Sequence, residues 1–447
     1  MRKFVSGASV TRAARRRGVL GAGLAAMVLV TAACGGDSSG GEELQDADSV
    51  SGEGKTLSVW IMEGTNPDPE PYVEELTEAF TDETGADLDV QFVPWADAHD
   101  KFVKSIAGGT TPDVAEVGTT WTPEFADAGA LADLSDVVSE AGLDNDLVPG
   151  LVEAGTVDGG LYGMPWYAGV RSIVYRTDVF EKAGITPPTS WDELVAVGEK
   201  LEAANPDMIT FPVPGDSEYG VYPFVWGAGG EIAEQDGDSW ASTIDSPEAQ
   251  EGITFYTDLA KKHGFSSPAA TTWDEADLSD AFSRGDVAMM IAGSWTPGAL
   301  VEANPDLEGK IGAFPIPGPD GGVSPSFLGG SHLGVFEASE NKDLAWALVK
   351  LMATGEMADK WSEQSGFFPG TETLLAKVQE ADDPVVAPFA TQMVEGGASL
   401  PVTPKYGQVQ GKKTVSAMLQ SILSGDASVA EAAEKAADEM DEIFQQG

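Results

Sequence analysis

The chain has 447 residues, with 25 Lys and Arg against 73 Asp and Glu, a formal net charge of −48 and one cysteine. That balance excludes nucleic-acid binding through phosphates, which needs clustered Lys and Arg. It argues against a phosphate or sulfate ligand, and one cysteine excludes an internal disulfide. It suits a neutral or cationic small molecule, and equally a solvated helical surface that keeps the protein in solution.

The N-terminus carries Arg2, Lys3, Arg12, Arg15, Arg16 and Arg17 with no acid before the apolar run Gly18–Ala33. That run is shorter than the roughly 20 residues a membrane-spanning helix needs, and it ends in small residues, as a cleaved signal peptide does. Its end, Val30-Thr31-Ala32-Ala33-Cys34, resembles the bacterial lipobox, which implies a leader over residues 1–33 and acylation of Cys34. "RRRGVLG" matches a twin-arginine signal only loosely, so the export route, Sec or Tat, stays open. Removing the leader takes away six positive and no negative charges, so −48 becomes −54. Residues 35–55 hold almost no apolar side chains and are expected to be a flexible tether after Cys34, with a span of about 25 Å.

The remaining chain is long enough for two domains. "LSVWIM" (57–62) predicts a strand, and a proline-rich turn leads to a helix with Tyr72, Val73, Leu76 and Phe80 on one face. "LDVQFV" predicts a second strand, a helix with Phe102, Val103 and Ile106 follows, and "PDVAEV" predicts a third strand. This β-α-β-α-β order implies a parallel sheet covered by helices, hence an α/β fold. The pattern resumes with "SIVYRTDVFEKAGI", "SWDELVAVGEKLEAANP" and "DMITFPVPG", a helix over Ser246–Lys262, another near Leu278–Arg284, and the strand "VAMMIAG". After "AFPIPGP" come the strand "SHLGVF", a helix over Lys342–Met352 and a helical tail from Thr371. No repeat period is visible.

Catalytic motifs are scarce. His99, His263 and His332 are isolated, without metal-ligand spacing. No G-x-S-x-G elbow exists, "GGSHLG" coming nearest. "GEGKT" ends like a P-loop but lacks its first glycine, where Ser49 stands. "DNDLVPG" lacks the ligands of a calcium loop. No cofactor or metal is expected, although the many carboxylates leave a glycosidase pair open by counting alone.

Aromatic residues beside glycines and prolines do stand out: Trp95, Trp121, Trp166 with Tyr167, Tyr222 with Trp226, Trp273, Trp295, Phe367 with Phe368, and Tyr406. A pyranose offers apolar C–H faces and equatorial hydroxyls, so it is bound by stacking on rings while amides and carboxylates take the hydroxyls. Trp60, in mid-strand, and Trp346, on an apolar helix face, read instead as packing.

"PDVAEVGTTWTPEFADAGALADL", "GTVDGGLYGMPWYAGVRSIVYRTDVFEKAGITPPTSWDEL", "AFSRGDVAMMIAGSW", "NKDLAWALVKLMATGEMADKW" and "PVTPKYG" resemble, in order over nearly the whole mature chain, the extracellular solute-binding proteins of bacterial sugar ABC transporters. "GTVDGGLYG" with "YGMPWYAGVRSIVYR" is most similar to the actinobacterial branch that binds diacetylchitobiose, from which the chain departs at Val170, where an asparagine commonly precedes the arginine. The resemblance implies a periplasmic-binding-protein-like fold, two α/β lobes joined by a multi-segment hinge with a ligand cleft between them. Crossings are expected near Tyr167–Gly169, Phe314–Pro317 and Gly355, giving lobe 1 as 56–167 plus 317–355 and lobe 2 as 168–316 plus 356–447.

By the same resemblance, Glu63 accepts a sugar hydroxyl, Thr119, Thr120 and Trp121 line the first lobe, and Trp166 and Tyr167 lie at the first crossing. Tyr222, Trp226 and Trp295 supply stacking faces from the second lobe, with Ser331 and Tyr406 as further lining residues; Trp273 joins them on the aromatic pattern alone. Arg171 either bonds a ligand oxygen or locks the hinge. The implied protein is a monomeric, non-enzymatic, lipid-anchored receptor on the outer face of the cell membrane that hands an oligosaccharide, such as diacetylchitobiose, maltose or trehalose, to an ABC permease. An anchored glycoside hydrolase, and a receptor for a peptide or a cationic solute, are the alternatives.

Overall fold

Strand and helix alternate from residue 56 onward in the computed structural model, which describes residues 44–46, 50–237, 239–380 and 383–445. Cys34 and the leader lie outside the described residues. Strands β1 (Thr56–Glu63), β2 (Asp87–Pro94) and β3 (Val114–Gly118) run parallel, with β1 in the middle. The helices Glu70–Thr84 and Trp95–Gly108 form the crossovers. The first buries Tyr72, Leu76 and Phe80, four apart on one face, and stops at Gly85, whose φ of 76° is open to glycine at little cost. Asp113 ties the strand starts together by accepting from the Ser58 N–H and hydroxyl, each at 2.8 Å, and from Ser339 at 2.6 Å.

A hairpin, β4 (Thr156–Val157) with β5 (Gly160–Leu161), leads into β6 (Met164–Arg176), and β7 (Ala233–Asp236) with β8 (Ser239–Ser242) forms a separate ribbon. Then come β9 (Met289–Gly293), β10 (Ile311–Phe314), β11 (Ser326–Val335) and the short β12 (Phe368–Pro369) and β13 (Gly397–Ala398). The main sheet runs in the order β10-β6-β11-β3-β1-β2, with β9 and β12 also on β6.

The 13 residues of β6 are buried from Met164 to Val174, as a strand covered on both faces must be. Its partners change partway along. Met164–Val170 pair with β11, with β12 meeting Tyr167 and Ala168. From Arg171 onward the partners are β9 and, from Ile173, β10. The sequence places a break at "MPWYAG"; the backbone runs through it as one strand because every residue there is apolar, small or aromatic.

Two large cores flank this strand. The first joins β1, Tyr72, Leu76, Trp166, Trp346 and Trp361. The second joins Trp191, Phe224, Tyr256, Met418 and the C-terminal helix Val429–Phe444. A third cluster lies along β6 itself, where Val170 and Val174 meet Leu328, Phe282 and Phe389. Ile316 and Phe327 still pack in the second core, and Met357 and Trp361 in the first.

The tether expected over 34–55 is also shorter than its composition implies. Leu44 and Val50 pack against the first core, and the Gly52 N–H donates to the Thr84 carbonyl at 2.7 Å. A Cβ at Gly52 would come within 2.6 Å of Ala86 and 2.9 Å of Leu344, so only glycine lets the chain lie this close. Low apolar content misleads here because, beside Leu44 and Val50, the segment is held by backbone hydrogen bonds and by the Asp46 carboxylate, which takes the Trp346 N–H.

Candidate functional site

Parallel strands present their carboxyl ends together, and in open α/β folds ligands lie there. Glu63 ends β1 and is exposed. Thr119, Thr120 and Trp121 follow β3, with the Thr119 N–H donating to the Gly330 carbonyl at 3.1 Å. Thr119 and Thr120 face Leu400 and Pro401 across a crevice of only about 10 Å³. Trp121 is half-buried and belongs to an aromatic rim, 5.4 Å from both Trp95 and His99. Trp95 is 38% exposed and donates to the Thr65 hydroxyl at 3.2 Å. His99 bonds Glu124 at 2.7 Å, and that bond raises the imidazole pKa above its ordinary value.

Below the rim lies a residue that the sequence reading missed. Glu116, on β3, is fully buried. It accepts from the Met62 N–H at 2.7 Å, from the Ser331 hydroxyl at 2.8 Å and from the Tyr167 hydroxyl. Ser331 and Tyr167, both expected to bind ligand, thus spend their hydroxyls on a carboxylate that joins β1, β3, β6 and β11. Burial pushes the Glu116 carboxyl up to about 7, opposed by these three donors. Its signal was an acid amid the apolar "VAEVG". Trp166 points the other way, into the first core, where it stacks on Trp361 at 4.3 Å and is 1% exposed.

His332, beside Ser331, is fully buried, and burial lowers its pKa to about 4, so the ring is neutral. Nε2 faces the Leu151 carbonyl at 2.9 Å and must carry the proton, which leaves Nδ1 to accept from the Thr122 hydroxyl at 2.8 Å. Both nitrogens are used in tying β11 to the helices Thr122–Asp127 and Pro149–Gly155.

The second half of the site is built around Arg171, just past the change of partners on β6. Its side chain is 6% exposed and grips Glu275 with two parallel bonds of 2.7 and 3.0 Å. The guanidinium lies 3.9 Å over the Tyr219 ring and 5.3 Å from Trp295. Tyr219 stacks on Phe327 at 5.3 Å, and Trp295 stacks on Phe367 at 4.6 Å. The Trp295 ring also rests on backbone, since a Cβ added at Gly169 or Gly293 would meet it at 2.4 or 2.3 Å. A cavity of about 200 Å³ opens beside it, lined by Glu275, Ser279, Gly293, Trp295 and Thr296 among others.

Tyr222 and Tyr406 are fully buried and share a hydrogen bond of 3.0 Å. They belong with a second missed carboxylate, Glu218, which accepts from Gln410 at 2.7 Å and from Tyr222, and whose pKa burial raises. Trp226 is 8% exposed and donates to Glu231 at 3.2 Å. Trp273 lies apart, half-buried against the cluster along β6. Of the expected residues, the structure brings Arg171 to Trp295, Tyr167 to Ser331 and Tyr222 to Tyr406. Tyr219, Phe327 and Glu275 join them without having been foreseen. Among the described residues no group of three or more His, Cys, Asp or Glu is placed to hold a metal.

Two cores sharing one strand, with rings and carboxylates where they meet, define a two-lobed binding protein. The model of the bacterial extracellular solute-binding protein family matches residues 64–358, and the chain belongs to that family. It is 30% identical over 421 residues to the diacetylchitobiose-binding protein DasA of Streptomyces coelicolor, covering 92% of this chain and 95% of that one. Its fold is similar to that of an ABC transporter solute-binding protein of Thermotoga lettingae bound with alpha-D-tagatose. That match has a TM-score of 0.74 and 29% identity, over 87% of this chain and 100% of the other. The sugar-binding protein MalE of Xanthomonas citri has the same fold, with a TM-score of 0.78 and 24% identity over 88% and 100% of the two chains.

Proposed function

We propose that this chain is the substrate-binding lipoprotein of a carbohydrate ABC importer, holding an oligosaccharide between its lobes and delivering it to the permease. The observation that carries the reading is the cavity beside Trp295. It sets an indole, itself stacked on Phe367, next to the Glu275 carboxylate and the Ser279 and Thr296 side chains, and a sugar is held by aromatic surface together with hydroxyl acceptors. The ligand classes of the relatives, diacetylchitobiose above all, agree with it. The lobes divide at Val170–Arg171, inside β11 and after Ser365, and closing them stabilises the liganded state. Cys34 is acylated and holds the receptor at the outer membrane surface.

Calorimetry against diacetylchitobiose, maltose, trehalose and longer neutral sugars tests the reading. Saturable binding of at least one is expected, and Trp295→Ala should weaken it at least about tenfold, as loss of a stacking ring does. Silence across the panel in folded protein overturns the reading, and unchanged affinity removes Trp295 from the site. Fatty-acid labelling should mark the wild type and miss Cys34→Ala.

A further inference from the structure

Leu44 and Val50, ahead of β1, pack against the first core. The helix Lys342–Ala353 packs across β6 and β11 and buries Trp346 to 1% exposure. The indole N–H of Trp346 donates 2.8 Å to the Asp46 carboxylate, which also takes the Lys350 ammonium. Asp46 is 14% exposed in this pairing. Its own N–H donates to Glu140 at 3.1 Å, the Gln45 N–H donates to Asp343 at 3.2 Å, and Leu44 packs against the first core. A buried indole N–H needs an acceptor, and here the acceptor lies 300 residues away in a stretch whose composition says linker.

We propose that Leu44–Asp46 is a clip, docked by the chain on its own first lobe, that shortens and aims the link between Cys34 and the folded protein. The length claim rests on acylation of Cys34; the docking does not. Ten residue steps separate Cys34 from Leu44, against 22 from Cys34 to Thr56. At about 3.6 Å per step, the reach from a lipid on Cys34 falls from roughly 79 Å to roughly 36 Å. The clip also fixes where the link leaves the first lobe, beside the helix that holds Asp46. A receptor bound in this way meets a membrane permease from a restricted set of orientations.

Two measurements separate the parts. In full-length Cys34→Ala protein, amide exchange at Gln45 and Asp46 should be slowed about tenfold or more against the unprotected chain. Asp46→Ala should abolish that protection while leaving peptides of the β1 core unchanged, and Lys350→Ala should reduce it in part. Unprotected amides at 45–46 in otherwise folded wild type overturn the clip, whatever the state of Cys34. Acylated wild type on vesicles, carrying a donor dye at Glu340→Cys and acceptor lipid in the bilayer, should transfer energy more efficiently than the same protein with Asp46→Ala. Equal transfer, with the acyl group verified by mass spectrometry, overturns the aiming role even where the docking stands.

Discussion

Each lobe carries a buried glutamate that accepts from tyrosine, and the two are built differently. Glu116 is riveted within a sheet, to an N–H of β1 and to hydroxyls of β6 and β11. Glu218 sits in the turn Glu218–Gly220 and is held by Tyr222 on the next helix and by Gln410, 192 residues on and only half-buried. The first carboxylate therefore depends on strands that cannot shift independently, whereas the second joins segments that can. The sheet-bound carboxylate of the first lobe is thus held more tightly than the turn-bound one of the second.

Glu116→Ala puts the largest strain on this contrast. It strands the Met62 N–H and the Tyr167 O–H in the core, while the Ser331 hydroxyl keeps the Tyr167 oxygen at 2.9 Å, and should cost about 4 kcal/mol in urea unfolding, since each buried orphan donor costs about 1–3 kcal/mol.

The pH dependence comes next. The folded pKa of Glu116 is raised from 4.5 to about 7, so the folded state binds the extra proton. Its contribution to stability is full below pH 4.5 and is lost as pH rises through 7, by up to about 3 kcal/mol. Wild-type stability relative to Glu116→Gln should fall over that window, and parallel pH profiles would contradict the assignment. Glu218→Ala should cost less than Glu116→Ala, about 2 kcal/mol, because Tyr222 keeps Tyr406 and Gln410 reaches water. Equal costs would erase the distinction between the lobes. Ser331→Ala should cost only about 1 kcal/mol, since Glu116 retains the Met62 and Tyr167 bonds.

Patterning in the sequence is enough to read β2 and the crossover helices, whose apolar residues repeat at two or at three to four positions, and β1 and β3, which are short apolar runs. The helix expected over Ser246–Lys262 is Pro247–Lys261, with Ser246 as its cap, bonding the Ala249 N–H. The site was harder to read for a physical reason. An aromatic next to glycine in a loop presents the same letters whether its ring lines a cavity, like Trp295, or stacks inside a core, like Trp166. Only the partner across the fold decides, and Phe367 and Trp361 lie 72 and 195 positions away. Glu116 and Glu218 were hidden among 73 acids, though an acid in a five-residue strand buried throughout is a signal worth following.

Strand β6 has one more consequence, for how the molecule can be cut and recombined. Because its first half is sheet for one lobe and its second half sheet for the other, neither lobe is a portable module. A fragment ending at Val170 would leave β9 and β10 without the strand they pair to, and one starting there would strip β11 of a neighbour. Chimeras between relatives should fold when the exchange carries Met164–Arg176 as one piece with its partners, and fail when the junction falls inside it.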